Sequence, residues 1–145
     1  MKTRFTHPKQ SPGFMLWKLT TTWQKQLRQT LAPLELTHVQ FVFLACLQWL
    51  STQQDTLVTQ SQLATQSSLD KMVVSETAQK LITKGWITRQ RHEQDARAYG
   101  IALTDSGQAL IDQALPLVET ADQKFFIQCP ELKNLLYRQE CLGLG

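Results

Sequence analysis

At Gly85 the apolar periodicity of this 145-residue chain changes from about 3.6 to 2, and at Thr104 it changes back. The double switch confines strand structure to one short stretch with helices on either side. Within it Ile87 alternates with Thr88, Arg89, Gln90 and Arg91, and Tyr99, Ile101 and Leu103 alternate beyond the polar tip His92 to Ala98. That pattern predicts a hairpin with a basic, exposed loop.

Upstream, Leu16, Leu19, Trp23, Leu27 and Leu31 recur at three- and four-residue steps after Pro12-Gly13, predicting one long amphipathic helix that Pro33 stops. Thr37-His38-Val39-Gln40 is a capping box placed directly before the run Phe41 to Leu50, so a second helix starts at His38. Its apolar residues point nearly all round, as suits a buried central helix. Ser51 to Asp55 reads as a loop and Leu57-Val58 as a brief extended piece. A second box, Thr59-Gln60-Ser61-Gln62, opens a short helix through Leu63 and Ala64. Ser67-Ser68-Leu69 breaks it, and Asp70 is placed to cap the next helix. There Val74, Ala78, Leu81 and Ile82 keep helical spacing until Gly85 takes the C′ position. Two short helices around a brief turn make a helix-turn-helix. Past the hairpin, Thr104-Asp105-Ser106-Gly107 opens a helix carrying Leu110, Ala114, Leu117, Ala121 and Phe125, with Pro116 inside it expected to bend the axis. Pro130 suits the first turn of a last short helix with Leu132, Leu135, Leu136 and Leu142 on one side.

Several function classes find no support. A net charge of +3 and a hydrophobic share of 42% describe one soluble globular domain over 1–145. The longest apolar run, Phe41 to Leu47, is too short for a bilayer, and Lys18 interrupts any signal-peptide core after Phe14-Met15-Leu16-Trp17. A cytoplasmic protein with no membrane association is expected. Cys46, Cys129 and Cys141 lack C-x-x-C spacing, and His92-Glu93 lacks the second His of a metal-binding helix, so no metal is expected. The glycines stand singly, which excludes G-x-S-x-G and phosphate-binding loops. The reading is of a non-enzyme without a cofactor.

The order helix, helix, helix-turn-helix, two-stranded wing, long helix, short helix resembles the winged-helix regulators of the MarR family over nearly the whole chain. The likeness is carried by Leu36-Thr37-His38-Val39-Gln40-Phe41, by Gln62-Leu63-Ala64, and by Leu81 followed by Lys84-Gly85-Trp86-Ile87. Most specific is Asp95-Ala96-Arg97 followed by Ala102-Leu103-Thr104-Asp105-Ser106-Gly107, which resembles the family's D-x-R and L-T-x-x-G pair. The resemblance implies a mainly α fold, with dimerisation helices at 11–35 and 104–145 flanking a winged-helix lobe at 37–103. It implies a dimeric transcriptional regulator, a repressor, acting on a pseudo-palindromic site in double-stranded DNA.

Physical chemistry agrees with that expectation. A recognition helix presents small polar and basic side chains to the major groove, and Lys71, Met72, Ser75, Gln79 and Lys80 lie opposite Val74, Ala78 and Leu81. Gln79 is the candidate adenine reader, while Lys71 and Lys80 suit phosphates. Arg97 at the wing tip can reach a minor groove or a phosphate, Asp95 can orient it, and Arg91 extends the same basic edge. Glu76 puts a negative charge on this side, and Ser68 stands where related proteins often have Gly, implying a small strain there.

Apolar residues near both chain ends, Phe14, Phe125, Phe126, Leu135 and Leu136 among them, supply material for a homodimer interface. The resemblance also implies a cleft for a small aromatic ligand, here near Trp17, His38 and Phe41. The family's peroxide sensors use a cysteine in the first helix, and Phe14 to Leu19 has none. A second class of function, a winged-helix adaptor binding a partner protein rather than DNA, would suit Glu76 and the modest charge.

Overall fold

In the computed structural model, which describes residues 2–91 and 99–138, helix starts coincide with residues able to close a first turn. α1 (Pro12–Leu31) begins with Pro12 in its first turn and with Ser11 Oγ accepting from the Phe14 amide at 3.2 Å. A 3-10 turn over Ala32–Leu34, containing Pro33, ends it, and Glu35 follows at φ 56. α2 (His38–Gln53) opens on the complete Thr37/Gln40 box, both of whose bonds measure 3.1 Å. It runs through Ser51-Thr52-Gln53, residues whose polarity suggests a loop. Ser51 and Thr52 stay helical while their hydroxyls donate back to the Leu47 and Trp49 carbonyls, at 2.8 and 2.6 Å.

β1 (Val58–Thr59) leads into α3 (Gln60–Ser67), capped by the Thr59/Gln62 box with bonds of 2.9 and 3.1 Å. Ser68 takes the left-handed conformation at φ 61, as the turn requires. α4 (Lys71–Thr83) departs from expectation at its start. Asp70 holds the N-cap position with an extended backbone, but among the described residues its side chain takes no bond from the first turn. The helix end is as expected: Gly85 at φ 77 donates to the Ile82 carbonyl and Trp86 to that of Leu81, which is a Schellman motif.

β2 (Ile87–Arg91) and β3 (Tyr99–Leu103) pair antiparallel with Ile87 opposite Leu103 and Arg91 opposite Tyr99. The sheet has three strands, not two, in the order β1-β3-β2, because Val58 and Thr59 pair with Ile101 and Gly100. A Cβ at Gly100 would collide with the Leu57 side chain, so glycine admits the first strand to the sheet.

α5 (Asp105–Phe126) runs unbroken through Pro116, and α6 (Pro130–Leu136) follows with Pro130 in its first turn. One core joins all layers: Leu27 and Leu31 of α1, Phe43, Leu44 and Leu47 of α2, Leu63, Val74, Leu81, Ile87 and Ile101 of the winged helix, and Ile111 and Ala114 of α5. α4 is therefore fixed to the same packed interior as α1 and α5. Among the described residues no single helix is long and apolar enough to cross a membrane.

Candidate nucleic-acid interface

α4 turns Val74, Thr77, Ala78 and Leu81 into the core and leaves Lys71, Met72, Ser75, Glu76, Gln79 and Lys80 exposed. The reading face expected from the sequence is thus brought together on one helix side, with Glu76 among it. Its neighbours hold α4 at fixed height. Lys84 Nζ donates to the Glu35 carbonyl at 3.1 Å and stands 4.5 Å from the centre of the Trp86 ring, tying the helix end to the turn before α2.

The L-T-x-x-G string has a structural reason. Thr104 Oγ1 accepts from the Gly107 amide at 3.0 Å, capping α5, and donates to the Gly85 carbonyl at 2.7 Å. The Thr104 amide also donates to the Trp86 carbonyl at 3.1 Å. A Cβ at Gly107 would collide with that same carbonyl oxygen. The end of α4 and the start of α5 are thus joined by two bonds from Thr104, through a contact at Gly107 that admits no side chain.

The wing stem carries Arg89 and Arg91 on β2, both exposed. Arg89 lies 4.6 Å from the centre of the Tyr99 ring on β3, a cation–π contact that restrains an otherwise flexible side chain. Asp95 and Arg97 lie outside the described residues, as do His92 and Cys141.

Between α1 and α5, Trp23 Nε1 donates to Asp122 Oδ1 at 2.8 Å, and the Trp23 ring meets His38 edge-on at 5.2 Å. Burial holds the His38 imidazole below its ordinary pKa; nearby Asp122 opposes that shift and Arg28 adds to it. The aromatic against His38 is thus Trp23, which sequence reasoning placed only in the helical stripe. Trp17 is 68% exposed in the protomer, and Phe41 is buried. Burial likewise pushes the Cys46 thiol up, away from thiolate chemistry.

Phe125 and Phe126 are half-buried and pack edge-to-face at 5.0 Å, while Phe14, Leu16, Leu135, Leu136 and Tyr137 are exposed. Between α5 and α6 opens a groove of about 560 Å³ lined by Asp122, Phe126, Ile127, Lys133, Leu136 and Tyr137.

A fold of this kind, with its α4 face and basic wing stem, has close counterparts. The MarR family model matches residues 36–99, the segment from the α2 cap to the wing. The HTH-type transcriptional regulator YdcH of Bacillus subtilis is 40% identical over 134 residues, covering 92% of this chain and 90% of that protein. The chain belongs to the MarR family. An organic hydroperoxide resistance transcriptional regulator of the same organism is 30% identical over 83% of this chain and 80% of its own length. Among solved structures, a mutant of Escherichia coli MarR complexed with operator DNA superposes with a TM-score of 0.78 at 23% identity, over 90% of this chain and 91% of that one. Bordetella bronchiseptica BpsR, whose DNA binding is regulated by 6-hydroxynicotinic acid, superposes at 0.82 with 20% identity, over 96% and 97%. This MarR-family protein is a DNA-binding transcriptional regulator, and the adaptor reading loses its ground. The family is one of regulators, not of enzymes.

Proposed function

We propose that the protein works in the cytoplasm as a homodimer that occupies a pseudo-palindromic duplex site and represses transcription until a small aromatic ligand weakens its hold. The observation that carries this reading is the exposed polar and basic face of α4, anchored from behind by Val74, Ala78 and Leu81. Two such helices on one two-fold scaffold meet successive major-groove faces about one helical turn apart. Residues 11–35 and 104–145 supply the scaffold and 37–103 the DNA-binding lobe. Exposed apolar side chains at both ends support that division. So does the Trp23–Asp122 bond, which ties α1 to the last turns of α5.

Gln79 reads a base, Met72 and Ser75 lie beside it, and Lys71, Lys80, Arg91 and Arg97 contact phosphate or a minor groove, with Asp95 orienting Arg97. The ligand sits among aromatic side chains between scaffold and lobe, near Trp17, His38 and Phe41. Support comes from the half-buried His38–Trp23 pair and from two proteins of the same fold, BpsR, regulated by 6-hydroxynicotinic acid, and Rhodococcus jostii CouR, whose structure holds p-coumaroyl-CoA.

Titration of fluorescent duplexes at several salt concentrations tests the DNA contacts. Arg97→Ala should weaken binding to cognate and scrambled sites alike and, where it meets phosphate, lower the salt slope by about one unit per subunit. Gln79→Ala should leave the salt slope alone and lose preference at one base pair per half-site. An Arg97→Ala protein that binds both sites like wild type removes the wing from the interface.

A further inference from the structure

Val74, Thr77, Ala78 and Leu81 turn to the core. At about 100° per residue, the line opposite them therefore holds Met72, Glu76, Gln79 and Thr83 within a sector roughly 60° wide. All four are exposed, Met72 at 72%. Ser75 and Lys80 fall on the two flanks of this crest. A helix lying in a major groove sets its crest on the groove floor and its flanks toward the phosphate walls. Glu76 stands between Met72 and Gln79, about one turn from each. No docking of α4 that brings Gln79 to a base edge leaves Glu76 outside the groove.

An ionised carboxylate only accepts hydrogen bonds, and phosphates repel it. On the groove floor the groups that can donate to it are the exocyclic amines, N4 of cytosine and N6 of adenine. Guanine N7 and O6 and thymine O4 are acceptors and would leave it dehydrated and unpaired. Adenine sets its N7 acceptor beside N6, an arrangement that an amide matches and a carboxylate does not. Cytosine offers its amine with no acceptor beside it on that edge.

We propose that Glu76 reads a cytosine in each half-site, between a base contacted by Gln79 and one packed against Met72, whose apolar end suits a thymine methyl. The proposal rests on the DNA-binding reading above and adds the chemistry of the site that is bound. The same charge acts against every duplex that lacks the cytosine, so Glu76 contributes discrimination by rejection as well as by pairing.

The test is selection of the full-length protein on randomised duplexes, with wild type beside Glu76→Ala and Glu76→Gln, followed by titrations of individual fluorescent duplexes. Wild type should select a C·G pair at one position per half-site, and exchanging it for T·A should weaken binding by roughly 5- to 150-fold. The same exchange should change Glu76→Ala affinity by less than about twofold, while that variant binds scrambled duplex more tightly than wild type does. Glu76→Gln should move the preference at that position toward adenine. Because Glu76 is exposed, both variants should keep the wild-type circular dichroism and melting temperature. A Glu76→Ala protein that retains wild-type preference at every position overturns the proposal, even if its overall affinity rises, since the carboxylate is then a repulsive charge and no reader. A wild-type protein that enriches no duplex overturns the DNA-binding reading as well, and so the two failures are told apart.

Discussion

Gly107 and His38 show how single side chains are constrained by what surrounds them. At Gly107 the obstacle to a Cβ is the Trp86 carbonyl, backbone already held by the Thr104 amide at 3.1 Å, so it cannot swing away as a side-chain tip could. Gly107→Ala should therefore destabilise the fold by about 1–3 kcal/mol despite its better helix propensity, a loss that urea unfolding would measure. At His38 the folded imidazole sits below its ordinary value of 6.5, through burial first, against the pull of Asp122. With the folded value depressed, the unfolded chain takes up the proton first. Stability should fall as pH drops through about 6.5 and level off once the folded imidazole is also charged. Thermal melts from about pH 8 to about pH 5 should show a flatter profile for His38→Gln than for wild type; parallel profiles would mean that His38 is not kept neutral by the fold.

Element by element, the two boxes and the unbonded Asp70 cap of α4 make different demands. Thr59 accepts from Gln62 and Gln62 reaches back to the Thr59 amide, so Thr59→Ala should cost about 1 kcal/mol. Asp70, at the equivalent cap position of α4, makes no such bond among the described residues, and Asp70→Ala should fall within about 0.5 kcal/mol of wild type. Equal losses at the two positions in chemical unfolding would contradict this contrast. In the turn between α3 and α4, Ser68 at φ 61 holds a conformation that costs a residue with a Cβ about 1 kcal/mol. Ser68→Gly should raise the unfolding midpoint. Gly is also more flexible when unfolded, so the gain should stay below about 1 kcal/mol.

In the assembled molecule, the apolar side chains left exposed at both ends bear on the proposed dimer. Leu16, Trp17, Leu135 and Tyr137 are each more than 60% exposed in the protomer, an arrangement a monomeric regulator has no evident use for. Sedimentation at micromolar concentration should give a particle of twice the 16.6 kDa chain mass. Leu135→Asp combined with Leu136→Asp should shift it toward the monomer and weaken DNA binding, because each protomer alone holds one recognition helix. A compact monomer from the wild-type chain would refute the dimer. In the proposed function, ligand control is likewise a property of the whole dimer. Since α4 shares one core with α1 and α5, a ligand that favours a mismatched spacing of the two α4 helices lowers DNA affinity by its differential affinity for the two states.

Most elements and their ends were legible in the chain alone, the end of α2 and the cap of α4 excepted. Ser/Thr-x-x-Gln boxes, Gly85 and the change of period act through bonds and contacts within a few residues, so their outcome depends little on the rest of the chain. The exposed face of α4 was legible too, because a helix with one apolar side fixes which residues remain outside. Packing between distant elements was needed to establish that Trp23 rather than Trp17 stands against His38, that Asp122 meets Trp23 from 99 residues away, that Lys84 reaches the Glu35 carbonyl, and that Val58 and Thr59 add a third strand. Each of these depends on which faces of distant elements meet and at what offset. Periodicity states that a face is buried but not what it is buried against. The packing of α1 on α5 and the close approach at Gly100 and Gly107 set those offsets.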